Sequence, residues 1–171
     1  MIRKNQRVGV FIDIQNLYHS AKNVYNARVN FENLLSLAVD KRDLVRAVGY
    51  VVKSDTSLGE SSFFDMLENL GIELRVKDLL IYTDGEKKAD WDVGMCVDAI
   101  RMADMFDVIV LVTGDGDFVP LVEYLQSARG RFVEVVSFKR STSSQLREAC
   151  DRYVDLDGNA KLLIPIKKKK K

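Results

Sequence analysis

Two apolar runs constrain this chain more than anything else in it. Val8-Gly9-Val10-Phe11-Ile12 and Val108-Ile109-Val110-Leu111-Val112 show no polar alternation. A strand of that kind is buried on both faces, the pattern of a parallel sheet covered by helices. Each run ends in acid: Asp13 follows the first, and Thr113-Gly114-Asp115-Gly116-Asp117 follows the second. A third acidic place, Asp90 and Asp92, opens a segment that reads as a helix from Trp91 to Asp104. A lone carboxylate beside a core costs several kcal/mol unless a cation or hydrogen bonds compensate it. Three such places suggest one shared partner, and a divalent cation is the simplest.

The rest of the pattern agrees with an α/β fold. Strands are expected at Val8–Ile14, Val45–Val52, Ile72–Val76, Asp107–Val112 and Phe132–Phe138, with a short last one at Tyr153–Leu156. Between them the spacing predicts helices at Leu17–Val24, Phe31–Val39, Phe63–Leu70 with Gly71 as C-cap, Trp91–Asp104, a segment with Pro120 in its first turn, and Ser143–Arg152. In the Trp91–Asp104 helix the apolar face is expected to be Val93, Cys96, Val97, Ile100 and Ala103. Ser54–Ser62 reads as a polar loop, and Leu79–Tyr82 as a strand before a turn at Asp84-Gly85. Strands alternating with helices imply a three-layer sandwich on a mainly parallel sheet. Ligands of such sheets bind beyond the carboxyl ends of the strands, where Asp13 and Asp115 stand.

Bulk properties exclude several classes. At 171 residues, 47% hydrophobic and 30% charged, the chain has the composition of one globular domain, expected over 1–160. No apolar run approaches the roughly 20 residues that span a bilayer, and the basic N-terminus lacks a signal peptide's apolar region. A cytoplasmic location and no membrane association are the expectation. Cys96 and Cys150 are far apart and His19 is the only histidine, which argues against zinc. Lys167–Lys171 are all lysine; without them 21 basic residues face 25 acidic ones. Residues 161–171 are expected to form a basic, disordered tail that attracts phosphate backbones or simply aids solubility.

Each motif has a structural alternative. Asp13 and Asn16 could reach one point, Asp13 as a metal ligand and Asn16 as a hydrogen-bond donor to phosphate or a water ligand, or could cap a helix. The glycines around Asp115 would let the backbone approach a ligand closely. Asp117 could point into the cleft or cap the next helix. One of Asp90 and Asp92 should cap its helix and the other, Asp92, should face the cleft. Asp98 is expected on the surface or bonded within its own helix. His19 follows Asn16 by a helical turn and could touch substrate, yet no serine or cysteine nucleophile is placed beside it. Oxygen-only ligands select Mg²⁺ or Mn²⁺, and hydrolysis of a phosphodiester is the natural chemistry. A doubly wound phosphatase with Asp13 as nucleophile would carry a second aspartate where this chain has Gln15.

Phe11-Ile12-Asp13-Ile14-Gln15-Asn16, Lys88-Ala89-Asp90-Trp91-Asp92-Val93 with Val97-Asp98-Ala99-Ile100, and Val112 to Phe118 together resemble the NYN domain family, in its LabA-like branch. The closing stretch from Ser144-Gln145-Leu146 to Asp151–Leu156 fits as well, so the resemblance spans about Arg7 to Leu156. It implies a PIN-like, Rossmann-like fold and a metal-dependent ribonuclease, with Asp13, Asn16, Asp92, Asp115 and Asp117 as catalytic residues. Asp13, Asp92 and Asp115 would hold Mg²⁺ or Mn²⁺, and the partner would be RNA, single-stranded. Many relatives carry Lys-Gly ahead of the mid-chain acid, where this chain has Ala89 and Asp90. A non-catalytic RNA-binding or regulatory module with a vestigial site shares every motif. A homodimer fits a small domain of this class.

Overall fold

The structure, a computed structural model, describes residues 4–53, 58–78, 80–81, 87–88 and 90–166. In chain order the elements are β1 (Arg7–Asp13), α1 (Ile14–Tyr25), β2 (Ala27–Val29), α2 (Phe31–Val39), β3 (Asp43–Lys53), α3 (Leu58–Asn69), β4 (Ile72–Asp78), β5 (Leu80–Ile81) and β6 (Lys87–Lys88). Then come α4 (Asp92–Met102), β7 (Val108–Val112), α5 (Val119–Ser127), β8 (Phe132–Ser137), α6 (Ser144–Ala149), β9 (Arg152–Asp155) and β10 (Leu163–Pro165). Six strands form one sheet in the order β4-β3-β1-β7-β8-β9, and every pairing in it is parallel. This is a PIN-like α/β fold.

The two apolar runs occupy the centre. Val8–Ile12 lie in register with Val108–Val112. Val8, Val10, Ile12, Val108, Val110 and Val112 face α1, α2 and α3 in one core, where Leu17, Leu34 and Leu67 are fully buried. Phe11, Ile109 and Leu111 face the opposite way and pack with Met95 and Ala99 of α4, Leu121, Val122 and Leu125 of α5, and Leu146 of α6. Gly9 leaves the space that the Phe106 ring fills: a Cβ there would lie 2.6 Å from it. Among the described residues, no helix is long and apolar enough to cross a membrane.

Several expectations shift. α1 begins at Ile14 rather than Leu17, because Asp13 caps it through the Asn16 N–H at 3.0 Å. α3 begins at Leu58, inside the stretch expected as loop; the exposed Ser61 and Ser62 hid its period, and 54–57 lie outside the described residues. The turn at Asp84-Gly85 lies outside them too, though β5 and β6 do pair antiparallel. α4 is rotated from its expected face. Met95, Ala99 and Met102 are buried, Cys96 and Ile100 only partly, while Val93 is 73% and Val97 45% exposed. The Trp91 ring lies against Gly94, where a Cβ would sit 2.5 Å from it. α6 is shorter than expected, since Arg152 already belongs to β9.

Two features had no forecast. β2 pairs antiparallel with β10, Leu162 is buried, and its carbonyl accepts from the Asn30 N–H at 2.8 Å. Residues 161–166, expected within a tail, are therefore part of the fold; Lys167–Lys171 lie outside the described residues. Beneath the sheet, the Arg42 guanidinium donates twice to Glu134 of β8, both at 2.9 Å, and also to the carbonyls of Val39 and Ala38. Both side chains are 1% exposed. A lone charge at that depth would be costly, and the paired geometry is what removes the penalty.

Candidate metal centre

The sheet order reverses direction around β1: β3 and β4 lie on one side, β7, β8 and β9 on the other. The gap between the carboxyl ends of β1 and β7 is the topological switch point, where ligands of such folds bind. Asp13 ends β1, and Thr113 to Asp117 follow β7 at that gap.

One buried hydroxyl joins the two strand ends. Thr113 Oγ1 donates to Asp13 Oδ2 at 3.3 Å and accepts from the Asp115 N–H at the same distance. Asn16 Oδ1 accepts from the Gly114 N–H at 3.0 Å. Asp13 is thereby held on both oxygens, by the Asn16 N–H and by Thr113. Its carboxyl is pushed above the usual range, first by burial, with these hydrogen bonds opposing and Asp115 adding to the rise. Thr113 stood within a quoted motif, but its bridging role was not visible. The signal was a hydroxyl residue directly after a buried strand and just before an acid.

Carboxylate oxygens of Asp92, Asp115 and Asp117 lie within 4.8 Å of one another. The expected ligand set was Asp13, Asp92 and Asp115; the converging set contains Asp117 instead, with Asp13 behind it and close enough to act on Asp92 electrostatically. Both Asp13 oxygens are already bonded, one as the cap of α1 and one by Thr113. Asp115 Oδ1 accepts from the Asp117 N–H at 2.9 Å and caps the turn Gly116–Phe118. Asp117 caps nothing, and among the described residues no hydrogen bond or ion pair holds its side chain. In α4, Trp91 occupies the cap position without a side-chain bond, so neither Asp90 nor Asp92 caps. Asp92 lies in the first turn, and Asp90 is exposed, its carbonyl taken by Lys77.

Burial pushes the Asp92 carboxyl up to about 6, with Asp115, Asp13, Asp90 and Asp117 adding repulsion in that order. Among the described residues no cation pairs with Asp92, Asp115 or Asp117. The donor set is carboxylate oxygen alone, which suits a hard divalent ion such as Mg²⁺ or Mn²⁺. The group therefore fits the residues present.

The glycines also make room for a neighbouring loop. A Cβ at Gly114 would lie 2.8 Å from the Ser141 carbonyl, and one at Gly116 would lie 2.8 Å from Ser143 Oγ. They admit the loop after β8, which walls the centre and donates the Ser143 N–H to the Gly114 carbonyl at 2.9 Å. His19 is exposed and meets the Tyr18 ring, and among the described residues no hydrogen bond or ion pair ties it to the acids. Asp98 reaches across to β3 and β4, accepting from Tyr50 at 3.1 Å and pairing with Arg75 at 3.4 Å. The Tyr50 hydroxyl is pushed upward, mainly by burial and then by Asp98. Cys96 and Cys150 are half-buried free thiols, both raised mainly by burial.

Comparison with known proteins supports this frame. The chain is 28% identical over 172 residues to low amplitude and bright protein LabA of Synechococcus elongatus, covering 92% of this chain and 87% of that one. A solved structure, a protein of unknown function named VPA0982 from Vibrio parahaemolyticus, is 30% identical and superposes with a TM-score of 0.86 over 96% of this chain and 99% of that one. The NYN domain profile matches residues 7–157, and the chain belongs to the NYN domain family.

Proposed function

We propose that this domain is a metal-dependent ribonuclease that hydrolyses phosphodiester bonds of single-stranded RNA, and that it works in the cytoplasm. The observation that carries the reading is the convergence of Asp92, Asp115 and Asp117 at the switch point, with no cation paired to them among the described residues. These three would hold Mg²⁺ or Mn²⁺. Such an ion, when bound, lowers the pKa of its water and neutralises charge on the phosphate. Thr113 and the Asn16 N–H fix Asp13 behind them. Asn16 spends its carbonyl on Gly114, which leaves its amide N–H groups free to donate to a phosphate oxygen. The NYN family is nuclease-like as a class, which supports the same chemistry.

The test is cleavage of a labelled single-stranded RNA with Mn²⁺, comparing wild type with Asp13→Asn, Asp92→Asn and Asp115→Asn. Loss of cleavage is the expected result. Equal cleavage by all four proteins rejects the assignment. Binding of RNA that survives chelation, with no cleavage in any metal, would instead mark a binding module with a vestigial site.

A further inference from the structure

An acidic centre repels a polyanion, so a strand that reaches Asp92, Asp115 and Asp117 needs cations along its way. Sheet register says where they stand. β4, β3, β1, β7 and β8 lie side by side and parallel, so their carboxyl ends form one edge. Lys77 lies near that end of β4, opposite Val52. Lys139 and Arg140 come just after Ser137, the last residue of β8. The acidic cluster stands between these flanks.

Lys77 is held at the rim. Its ammonium donates to the Asp90 carbonyl at 3.0 Å and sits 5.4 Å from the Trp91 ring centre. Asp92 is two residues from that carbonyl. One N–H of the ammonium is used, and among the described residues no carboxylate pairs with it. On the other flank, Lys139 is exposed; its backbone N–H goes to Asp155, while its ammonium has no partner among the described residues. Arg140 is more engaged, above the Tyr25 ring and 3.9 Å from Asp157.

We infer that Lys77 and Lys139 grip the phosphates of one RNA strand that crosses the carboxyl edge of the sheet, at right angles to β1 and β7, with the acidic cluster between the two grips. The identity of the anion rests on the ribonuclease reading. Four inter-strand spacings of roughly 4.8 Å put the flanks about 19 Å apart. At a stacked rise of roughly 3.4 Å this spans about six nucleotides.

Fluorescence anisotropy tests this on the full chain with a labelled oligouridylate of about twelve nucleotides, titrated from about 50 to 200 mM salt. Buffers contain Ca²⁺ or EDTA, so that no turnover is needed. Lys77→Gln and Lys139→Gln should each flatten the slope of log affinity against log salt by about 0.7, or about 2.6-fold across a fourfold change in salt. The double variant should lose twice that, and Arg28→Gln, an exposed cation on β2, should lose nothing. Wild-type slopes in both lysine variants, an equal loss in Arg28→Gln, or a wild type that binds in neither buffer would overturn the inference. If the lysine slopes stay at the wild-type value while Asp115→Asn abolishes cleavage, the strand path fails and the ribonuclease stands. If the slopes fall as expected while every aspartate variant cleaves normally, the reverse holds.

Discussion

Replacing Asp92 by Asn should make the metal-free protein more stable at neutral pH. The Asp92 carboxyl is raised from 3.8 to about 6, first by burial and then by its acidic neighbours. Two units at about 1.36 kcal/mol each set a ceiling of about 3 kcal/mol. The side chain is only partly buried, so solvent screening cuts that to about 1.5 kcal/mol. The start of α4 favours a negative charge by about 0.5 kcal/mol, leaving a net gain of about 1 kcal/mol for Asn. The sign follows from linkage. A raised carboxyl holds its proton longer in the folded state, so the penalty is absent below the unfolded value of 3.8, grows toward about 6 and is full above it. Urea unfolding in EDTA at pH 7 and pH 4 reads the effect, and melting should rise by about 2–4 °C at pH 7 only. Adding Mn²⁺ should reverse the order, because an ion that binds the folded state stabilises wild type and not the variant. A variant no more stable than wild type at pH 7, or equally stabilised at pH 4, would refute the idea that unrelieved repulsion sits at Asp92.

Two further outcomes test the scaffold. Arg42→Met should cost about 3 kcal/mol in urea unfolding, because Glu134, at 1% exposure, would lose its two-bonded partner and keep only Arg152 at 3.4 Å; Arg42→Met with Glu134→Leu should recover part of it, since Arg152 keeps its pairing with Asp40. Gly114→Ala should cost about 1–3 kcal/mol and weaken Mn²⁺ binding, since its Cβ would meet the Ser141 carbonyl, backbone that cannot swing aside; unchanged melting and metal titration would show that the loop yields.

Residues that carry their environment in their own pattern were readable from sequence. Val8–Ile12 and Val108–Val112 announced buried parallel strands, and Phe31–Val39 matched its helix to the residue. What sequence could not carry was the use of each polar atom. The converging carboxylates are Asp92, Asp115 and Asp117, while Asp13 has both oxygens bonded, to the Asn16 N–H and to Thr113. Gly114 and Gly116 read as turns that let the backbone approach a ligand; that they also make room for the loop after β8 depends on a contact the local sequence does not carry. Val93 and Val97 follow a helical period as well as Met95 and Ala99 do, so the period alone does not tell the buried face from the exposed one. β2 and β10 are three residues each and find one another across most of the chain.

The β2–β10 pairing has a kinetic consequence. Pro165 meets Ala27, and the Ile166 N–H donates to the Asn26 carbonyl at the far end of α1. Loop-closure entropy must be met before a contact of such long range forms. The helix that opens with Asp13 and Asn16 is therefore fastened at its other end by one of the costlier contacts to close.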